Sequence, residues 1–255
     1  ADALVEARVA RVVVGIEDPD HRVAGSGIER LRAAGVQVDV GLFAAKVAQQ
    51  LAPYVHHRQT GRPYVVLKLA MSLDGGIAAP DGSSQWITSP PARADGHRLR
   101  AESDAILVGA GTVRRDDPSL TVRDYHPPVM PASGHVDPVR VILGAVDPGA
   151  RVQPCREMKG ELGAVLDELG ADGVLQVLVE GGASVAGAFH RAGLVDRRFQ
   201  RLDGTEFLAG TQAVSKGRRV FTNELAAART HERRQAASGA DRHAHLGGCA
   251  VLWLS

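Results

Sequence analysis

Tyr64-Val-Val-Leu-Lys-Leu-Ala-Met71 is an almost unbroken apolar run in which Lys68 is the one charged residue. A run of this length and composition reads as a central strand of a parallel sheet, covered on both faces. Outward from it, short Val/Ile/Leu segments alternate with Ala/Arg/Glu/Leu segments of helical period. The pattern predicts strands over 11–15, 36–40, 105–109, 139–143 and 174–179, and helices over 26–34, 42–51, 89–102, 162–169 and 183–192, with a short helical turn after Gly111-Thr112. Such alternation is the signature of an α/β fold.

The polar stretch His56-His-Arg-Gln-Thr-Gly-Arg-Pro63 interrupts the pattern with Gly and Pro. It predicts a linker over 56–63 between a first segment, 1–55, and a second, 64–196. Past Asp196, Arg, Ala, Gly and His scatter without a strand period until Cys249-Ala-Val-Leu-Trp-Leu254, so 197–255 reads as a divergent C-terminal segment.

Composition narrows the function. The chain has 255 residues, 44% hydrophobic and 23% charged, which is ordinary for a globular protein and excludes a disordered tail. Thirty basic against 29 acidic residues leave a formal charge of +1, so there is no bulk field to gather nucleic acid or an anionic membrane. Aromatic content of 4% offers little for base stacking. No apolar run is long enough to span a bilayer, and the polar start lacks the order of a signal peptide, which predicts a cytoplasmic protein. The start at Ala1, without Met, suggests processing or truncation. Two cysteines without a CxxC pair read as reduced thiols, and the histidines offer no third ligand at a useful spacing, so no metal site is expected. The absence of G-x-S-x-G leaves serine hydrolase chemistry without support.

Three corners place small residues between a strand and a helix start: Gly109-Ala-Gly-Thr112, Glu180-Gly-Gly-Ala-Ser184 and Gly15-Ile-Glu-Asp18. Free N–H groups and the helix dipole suit phosphate there, although a glycine after a strand is also an ordinary tight turn. Lys68 must reach a sheet edge, pair with a carboxylate or face a polar cleft, because an unpaired buried ammonium is costly. Glu180 ends another strand, where ligand clefts of α/β sheets open, or else it caps the helix that follows. Trp86, in Ser84-Gln-Trp-Ile-Thr88, either covers the core or walls a flat ring. Arg114-Arg-Asp-Asp-Pro118 mixes charge beside a glycine turn, as solvated loops do.

Four ordered stretches together resemble a known family. They are Gly61-Arg-Pro-Tyr-Val-Val-Leu-Lys-Leu-Ala-Met-Ser-Leu-Asp-Gly75; Ser84-Gln-Trp-Ile-Thr88; Ala105-Ile-Leu-Val-Gly-Ala-Gly-Thr112 with Asp116-Asp-Pro-Ser-Leu-Thr-Val-Arg123; and Leu178-Val-Glu-Gly-Gly-Ala-Ser184 with Ala192-Gly-Leu-Val-Asp196. The set resembles the reductase domain of the bifunctional riboflavin-biosynthesis deaminase/reductase. The resemblance implies a dihydrofolate-reductase-like fold and NADPH-dependent reduction of the ribosyl group of 5-amino-6-(5-phosphoribosylamino)uracil to its ribityl form.

Position by position, the resemblance implies that Ala70, Trp86, Thr112 and Asp116 contact NADPH. So would the corner Gly182, Ala183, Ser184, Val185, Ala186, Gly187 and Ala188. It implies that Ser84, Arg100, Leu120, Arg123 and Glu180 contact the substrate, a phosphorylated pyrimidine. Arg100 and Arg123 offer planar forks for its phosphate. Lys68 and Asp116 are the candidate catalytic residues at the reacting sugar.

Residues 1 to about 51 resemble the end of the family's deaminase domain, a truncated cytidine-deaminase-like segment. Its zinc signature, H-x-E followed by P-C-x-x-C, is absent, so neither zinc nor deaminase activity is expected. The family continues after Asp196 with a strand that completes the sheet, whereas Arg197-Arg-Phe-Gln-Arg201 does not match it. A bare edge there would favour a homodimer. Two other readings stay open: a reductase of another small molecule, or a nucleotide-binding remnant without turnover.

Overall fold

A computed structural model describes residues 1–71, 90–123, 125–128, 134 and 136–202. The chain divides into two units between Thr60 and Gly61.

The first unit comprises α1 (Asp2–Glu6), β1 (Arg11–Val14), α2 (Ser26–Ala33), β2 (Gln37–Val40), α3 (Ala44–Gln50) and α4 (Ala52–Thr60). β1 and β2 pair in parallel, with Arg11 opposite Gln37. Val12, Leu31 and Val36 form a small core between the strands and α2. Helix α3 approaches so closely that a Cβ on Gly15 would stand 2.5 Å from Val47 Cγ2. The expected linker needs correction, because residues 56–60 are the second half of α4. Pro53 is tolerated in the first turn of that helix, and His, Arg and Gln carry only modest helix penalties. The helix stops before Gly61, whose φ of 75° lies in the left-handed region.

The second unit comprises β3 (Tyr64–Met71), α5 (Pro90–Ala101), β4 (Ala105–Gly109), α6 (Ala110–Asp116), β5 (Val139–Leu143), β6 (Arg156–Met158), α7 (Leu162–Ala171), β7 (Gln176–Val179), α8 (Ala183–Arg191) and β8 (Arg197–Leu202). The six strands form one sheet in the order β6-β5-β4-β7-β3-β8, and every pairing is parallel. Alternating residues divide two cores. Val65, Leu67, Leu107, Val177 and Val179 pack against α7 and α8 through Leu166, Leu169 and Phe189. Val66, Ile106, Val108 and Leu178 face the other way, against Leu99 of α5 and Val113 of α6. Burial on both faces explains why β3, β4 and β7 are continuous apolar runs in the sequence.

Two strands escaped the sequence reading, β6 and β8, and among the described residues both are outermost. β6 reads Arg-Glu-Met, and Met158 is its one buried residue. In β8 the side chain described as buried is Phe199, with the Arg197 guanidinium 4.5 Å from its ring centroid. Charged outer strands suppress the apolar period that marks central ones. The boundary placed at 196 is therefore corrected: β8 continues the sheet, pairing Val66 with Arg197 through Met71 with Leu202. Asp196 starts it, accepting the Val65 N–H at 2.8 Å and donating its own N–H to the Val65 carbonyl at 3.1 Å. The apolar run 249–254 lies outside the described residues.

Candidate active site

The sheet register brings Lys68 and Glu180 together. Leu67 pairs with Val179, so the next residues, Lys68 and Glu180, lie side by side just past the end of the ladder. Both have the parity of Val66 and Leu178 and share the face covered by α5 and α6. Lys68 Nζ stands 3.6 Å from Glu180 Oε2. From α5, Arg100 reaches the same carboxylate with both arms of its fork, Nε to Oε1 at 2.8 Å and Nη2 to Oε2 at 2.9 Å.

The Glu180 side chain is 8% exposed, Arg100 15% and Lys68 22%. Burial alone pushes the Glu180 carboxyl up, but Lys68 and Arg100 outweigh it and hold the group at about 2. Two cations against one carboxylate leave this cluster with an excess of positive charge. The sequence offered Lys68 three outlets, and the structure shows a carboxylate partner with part of the side chain still open. Glu180 is not the cap of the following helix: α8 is capped by Gly182 without a side-chain hydrogen bond.

The first two glycine corners also meet. The Gly182 N–H donates to Thr112 Oγ1 at 3.3 Å, tying the start of α8 to the first turn of α6. Both corners sit at the carboxyl ends of neighbouring strands, β4 and β7. The chain leaves β4 toward β5 and leaves β7 across β3 toward β8, in opposite directions. Crevices for ligands open at such a reversal point. Gly109 and Gly181 are required by packing, since a Cβ would fall 2.9 Å from Val185 Cγ2 at the first and 2.7 Å from Val185 Cβ at the second. Gly182, Ala183 and Ser184 are exposed, so the uncapped N–H groups of α8 present the positive end of its dipole. The third corner belongs to the first unit, where Asp18 accepts from the Asp20 amide and the Tyr54 hydroxyl.

A loop after α6 completes the surroundings. Arg100 Nη1 donates to the Thr121 carbonyl at 3.0 Å, and the Arg123 amide donates to His97 Nδ1 at 3.1 Å. Arg123 Nη1 reaches back to Ser119 Oγ at 3.0 Å, while the residue as a whole is exposed. Leu120 has a φ of 53° and a side chain buried in the α5/α6 core, so only its backbone is available to a ligand.

Other expected residues fall as follows. Ala70 shares the face of Lys68 and is half-buried. Asp116 is exposed at the last position of α6, and no described contact joins it to Lys68 or Glu180. Ala186 turns into the α7/α8 core, whereas Gly187 and Ala188 are half-buried. Ser84 and Trp86 lie outside the described residues. Sequence reasoning missed His97, although it stands one helical turn before Arg100 in a helix the sequence did predict.

Among the described residues, no group of three or more His, Cys, Asp or Glu is placed to hold a metal ion, and no helix is long and apolar enough to cross a membrane.

The family description "RibD C-terminal domain" matches residues 63–199, from the start of β3 into β8. The chain belongs to the RibD C-terminal domain family. Its relatives include the riboflavin biosynthesis protein RibD of Mycobacterium tuberculosis (strain H37Rv), 46% identical over 202 residues, covering 77% of this chain and 58% of that protein. RibD of Escherichia coli K12 is 38% identical over 230 residues, covering 76% and 63%. The chain thus spans about three-fifths of the length of these curated relatives.

Among solved structures, Acinetobacter baumannii RibD matches with a TM-score of 0.73 and 31% identity, over 86% of this chain and 68% of that one. A Thermotoga maritima diaminohydroxyphosphoribosylaminopyrimidine deaminase/5-amino-6-(5-phosphoribosylamino)uracil reductase matches with a TM-score of 0.69 and 31% identity, over 86% and 65%. The α/β fold expected for the reductase domain is the fold of these RibD structures.

Proposed function

We propose that this RibD C-terminal domain reduces the ribosyl group of 5-amino-6-(5-phosphoribosylamino)uracil to the ribityl form, with NADPH as reductant. The observation that carries the reading is the buried Lys68–Glu180–Arg100 cluster on the same sheet as the Thr112–Gly182 corner, at the carboxyl ends of adjoining strands. The activity named for the Thermotoga maritima relative fits that charge pattern, since the substrate is a phosphorylated sugar on a pyrimidine.

The residues present fit the cofactor. Ala183 and Ser184 offer exposed helix-start N–H groups to a pyrophosphate, and the Gly182 N–H, bonded to Thr112 Oγ1, fixes the corner that carries them. Ala70, Trp86 and Asp116 complete the cofactor side by resemblance. Bound there, NADPH supplies a hydride.

The chain's own residues do the rest. Reduction of the ring-opened imine adds a hydride to carbon and a proton to nitrogen, and Lys68 is the donor we assign to the nitrogen. Glu180 aims the ammonium, and Arg100 keeps Glu180 in place. Because three of its five N–H donors are engaged by Glu180 and Thr121, Arg100 acts mainly as a support. Arg123, exposed at the loop, takes the substrate phosphate.

We read the first unit as the end of a deaminase domain and assign it no deaminase activity, because the zinc-binding signature is absent from this sequence. Metal analysis showing stoichiometric zinc, together with deamination, would overturn that assignment. A homodimer belongs to the same reading, and sedimentation as a monomer at micromolar concentration would remove it. The decisive test is NADPH consumption with 5-amino-6-(5-phosphoribosylamino)uracil, in the wild type and in Lys68→Ala. Turnover in the wild type and a large fall in the variant are expected. No consumption by the wild type sinks the activity, and equal rates remove Lys68 from it.

A further inference from the structure

His97 Nδ1 lies 3.1 Å from two neighbouring backbone groups of opposite character: the Arg123 N–H, a donor, and the Thr121 carbonyl, an acceptor. One nitrogen can satisfy only one of them at a time. With a bare Nδ1 it accepts from Arg123; with a protonated Nδ1 it donates to Thr121. The Thr121 carbonyl is already served by Arg100 Nη1 at 3.0 Å. The Arg123 amide has no other acceptor among the described contacts.

We infer that His97, as the neutral tautomer protonated at Nε2, is a positioning residue that fixes Arg123 for the substrate phosphate. This deepens the reading above and rests on it. Helix α5 thereby holds the loop at two points one turn apart, Arg100 gripping the Thr121 carbonyl and His97 the Arg123 amide. A guanidinium fork selects a phosphate only when its backbone is fixed, and the His97 bond restrains the residue that carries the fork.

The charged groups around the ring favour the neutral form. Arg100 faces it from its own helix, Arg123 from the loop and Glu180 from the end of β7. Asp137 holds the adjoining Val122 amide at 2.7 Å. Partial burial, followed by Arg100 and Arg123, holds the imidazole below its ordinary range, with the Thr121 carbonyl and then Glu180 opposing more weakly. Acidification puts a proton on Nδ1, turns the ring from acceptor to donor and frees the Arg123 amide.

The test compares wild type, His97→Leu and His97→Gln in the full chain. Gln keeps an acceptor but does not titrate. The first readout is exchange of the Arg123 amide by NMR, which needs no turnover. Protection is expected in the wild type and the Gln variant and lost in the Leu variant; equal protection in the Leu variant overturns the proposal.

The second readout is the pH profile of KM for the phosphorylated substrate. The Leu variant should raise KM about tenfold with kcat little changed, the scale of one lost hydrogen bond that supports a charged contact. The substrate phosphate itself titrates near pH 6, so the informative quantity is the difference between wild type and Gln. KM should rise more steeply on acidification in the wild type. Superimposable profiles, or a Gln variant as impaired as Leu, overturn the proposal. Absence of turnover in every variant defeats the proposed function, and the exchange readout then still decides the role of His97.

Discussion

Arg100 grips both carboxylate oxygens of Glu180, at 2.8 and 2.9 Å, from a helix eighty residues earlier in the chain. That pair anchors α5 to the end of β7 and leaves Lys68 facing a fixed negative charge. Removing the carboxylate would strand two largely buried cations. Glu180→Ala should cost about 3 kcal/mol of folding stability, because breaking one member of a buried ionic cluster exposes the full desolvation of the rest. Glu180→Gln, which can still accept from Arg100, should cost less. Urea denaturation of both variants checks the order, and equal losses would refute it.

Acid should weaken the fold through the same residue. The folded-state carboxyl lies at about 2 against an ordinary 4.5, so its contribution is complete above 4.5 and drains away as pH falls toward 2. Other carboxyls are held down as well, such as Asp167 by its hydrogen bond from Arg62, and they add to the acid response of the whole chain. The informative measurement is therefore the stability difference between wild type and Glu180→Gln from pH 5 downward. It should shrink steadily on acidification; a constant difference would contradict the assignment.

Thr112→Val removes the acceptor that the Gly182 amide uses while keeping the shape of the side chain. The hydrogen bond is worth about 1 kcal/mol, so KM for NADPH should rise several-fold and Thr112→Ser should recover most of it. Cofactor titration by fluorescence gives the comparison directly. Unchanged affinity in the Val variant would mean that the corner is held by other contacts.

Gly109→Ala places a methyl 2.9 Å from Val185 Cγ2, closer than such atoms pack. Overpacking of this kind costs about 2 kcal/mol. Combining it with Val185→Ala should return part of that loss, so the two substitutions should be non-additive. Strict additivity in thermal unfolding would place the strain elsewhere.

Gly170→Ala sets two effects against each other. Alanine gains about 1 kcal/mol over glycine inside a helix, and Gly170 lies in α7. Its Cβ, however, would stand 1.9 Å from the Gly61 carbonyl oxygen, backbone against which nothing can rotate away. The clash should win, with a net loss of about 3 kcal/mol or more. Tm and soluble yield report the sign.

The central strands were legible because both faces of β3, β4 and β7 are buried, which writes a continuous apolar run into the sequence. β6 and β8 were not, because Arg156, Glu157, Arg197 and Arg198 break that run. The helix over residues 52–60 hid behind its polar composition, and a hydrophilic stretch ending in Gly and Pro reads as a connection even when it is helical. Lys68 and Glu180 could each be singled out from their own surroundings. Their pairing could not, because it depends on Leu67 meeting Val179 across strands more than a hundred residues apart in sequence. Arg100 illustrates the same limit: its type suggested phosphate, and only the fold reveals that a carboxylate occupies most of its fork.

Asp104 clasps the opposite rim of the sheet, taking the amides of Leu175 and Gln176 on one carboxylate oxygen at 2.8 and 2.9 Å. Because all six strands run the same way, that rim lies a full strand length from Lys68 and Glu180. A surface tether or a reporter dye belongs there, on the exposed residues just outside the clasp, where an attachment would leave the chemistry at the far end undisturbed.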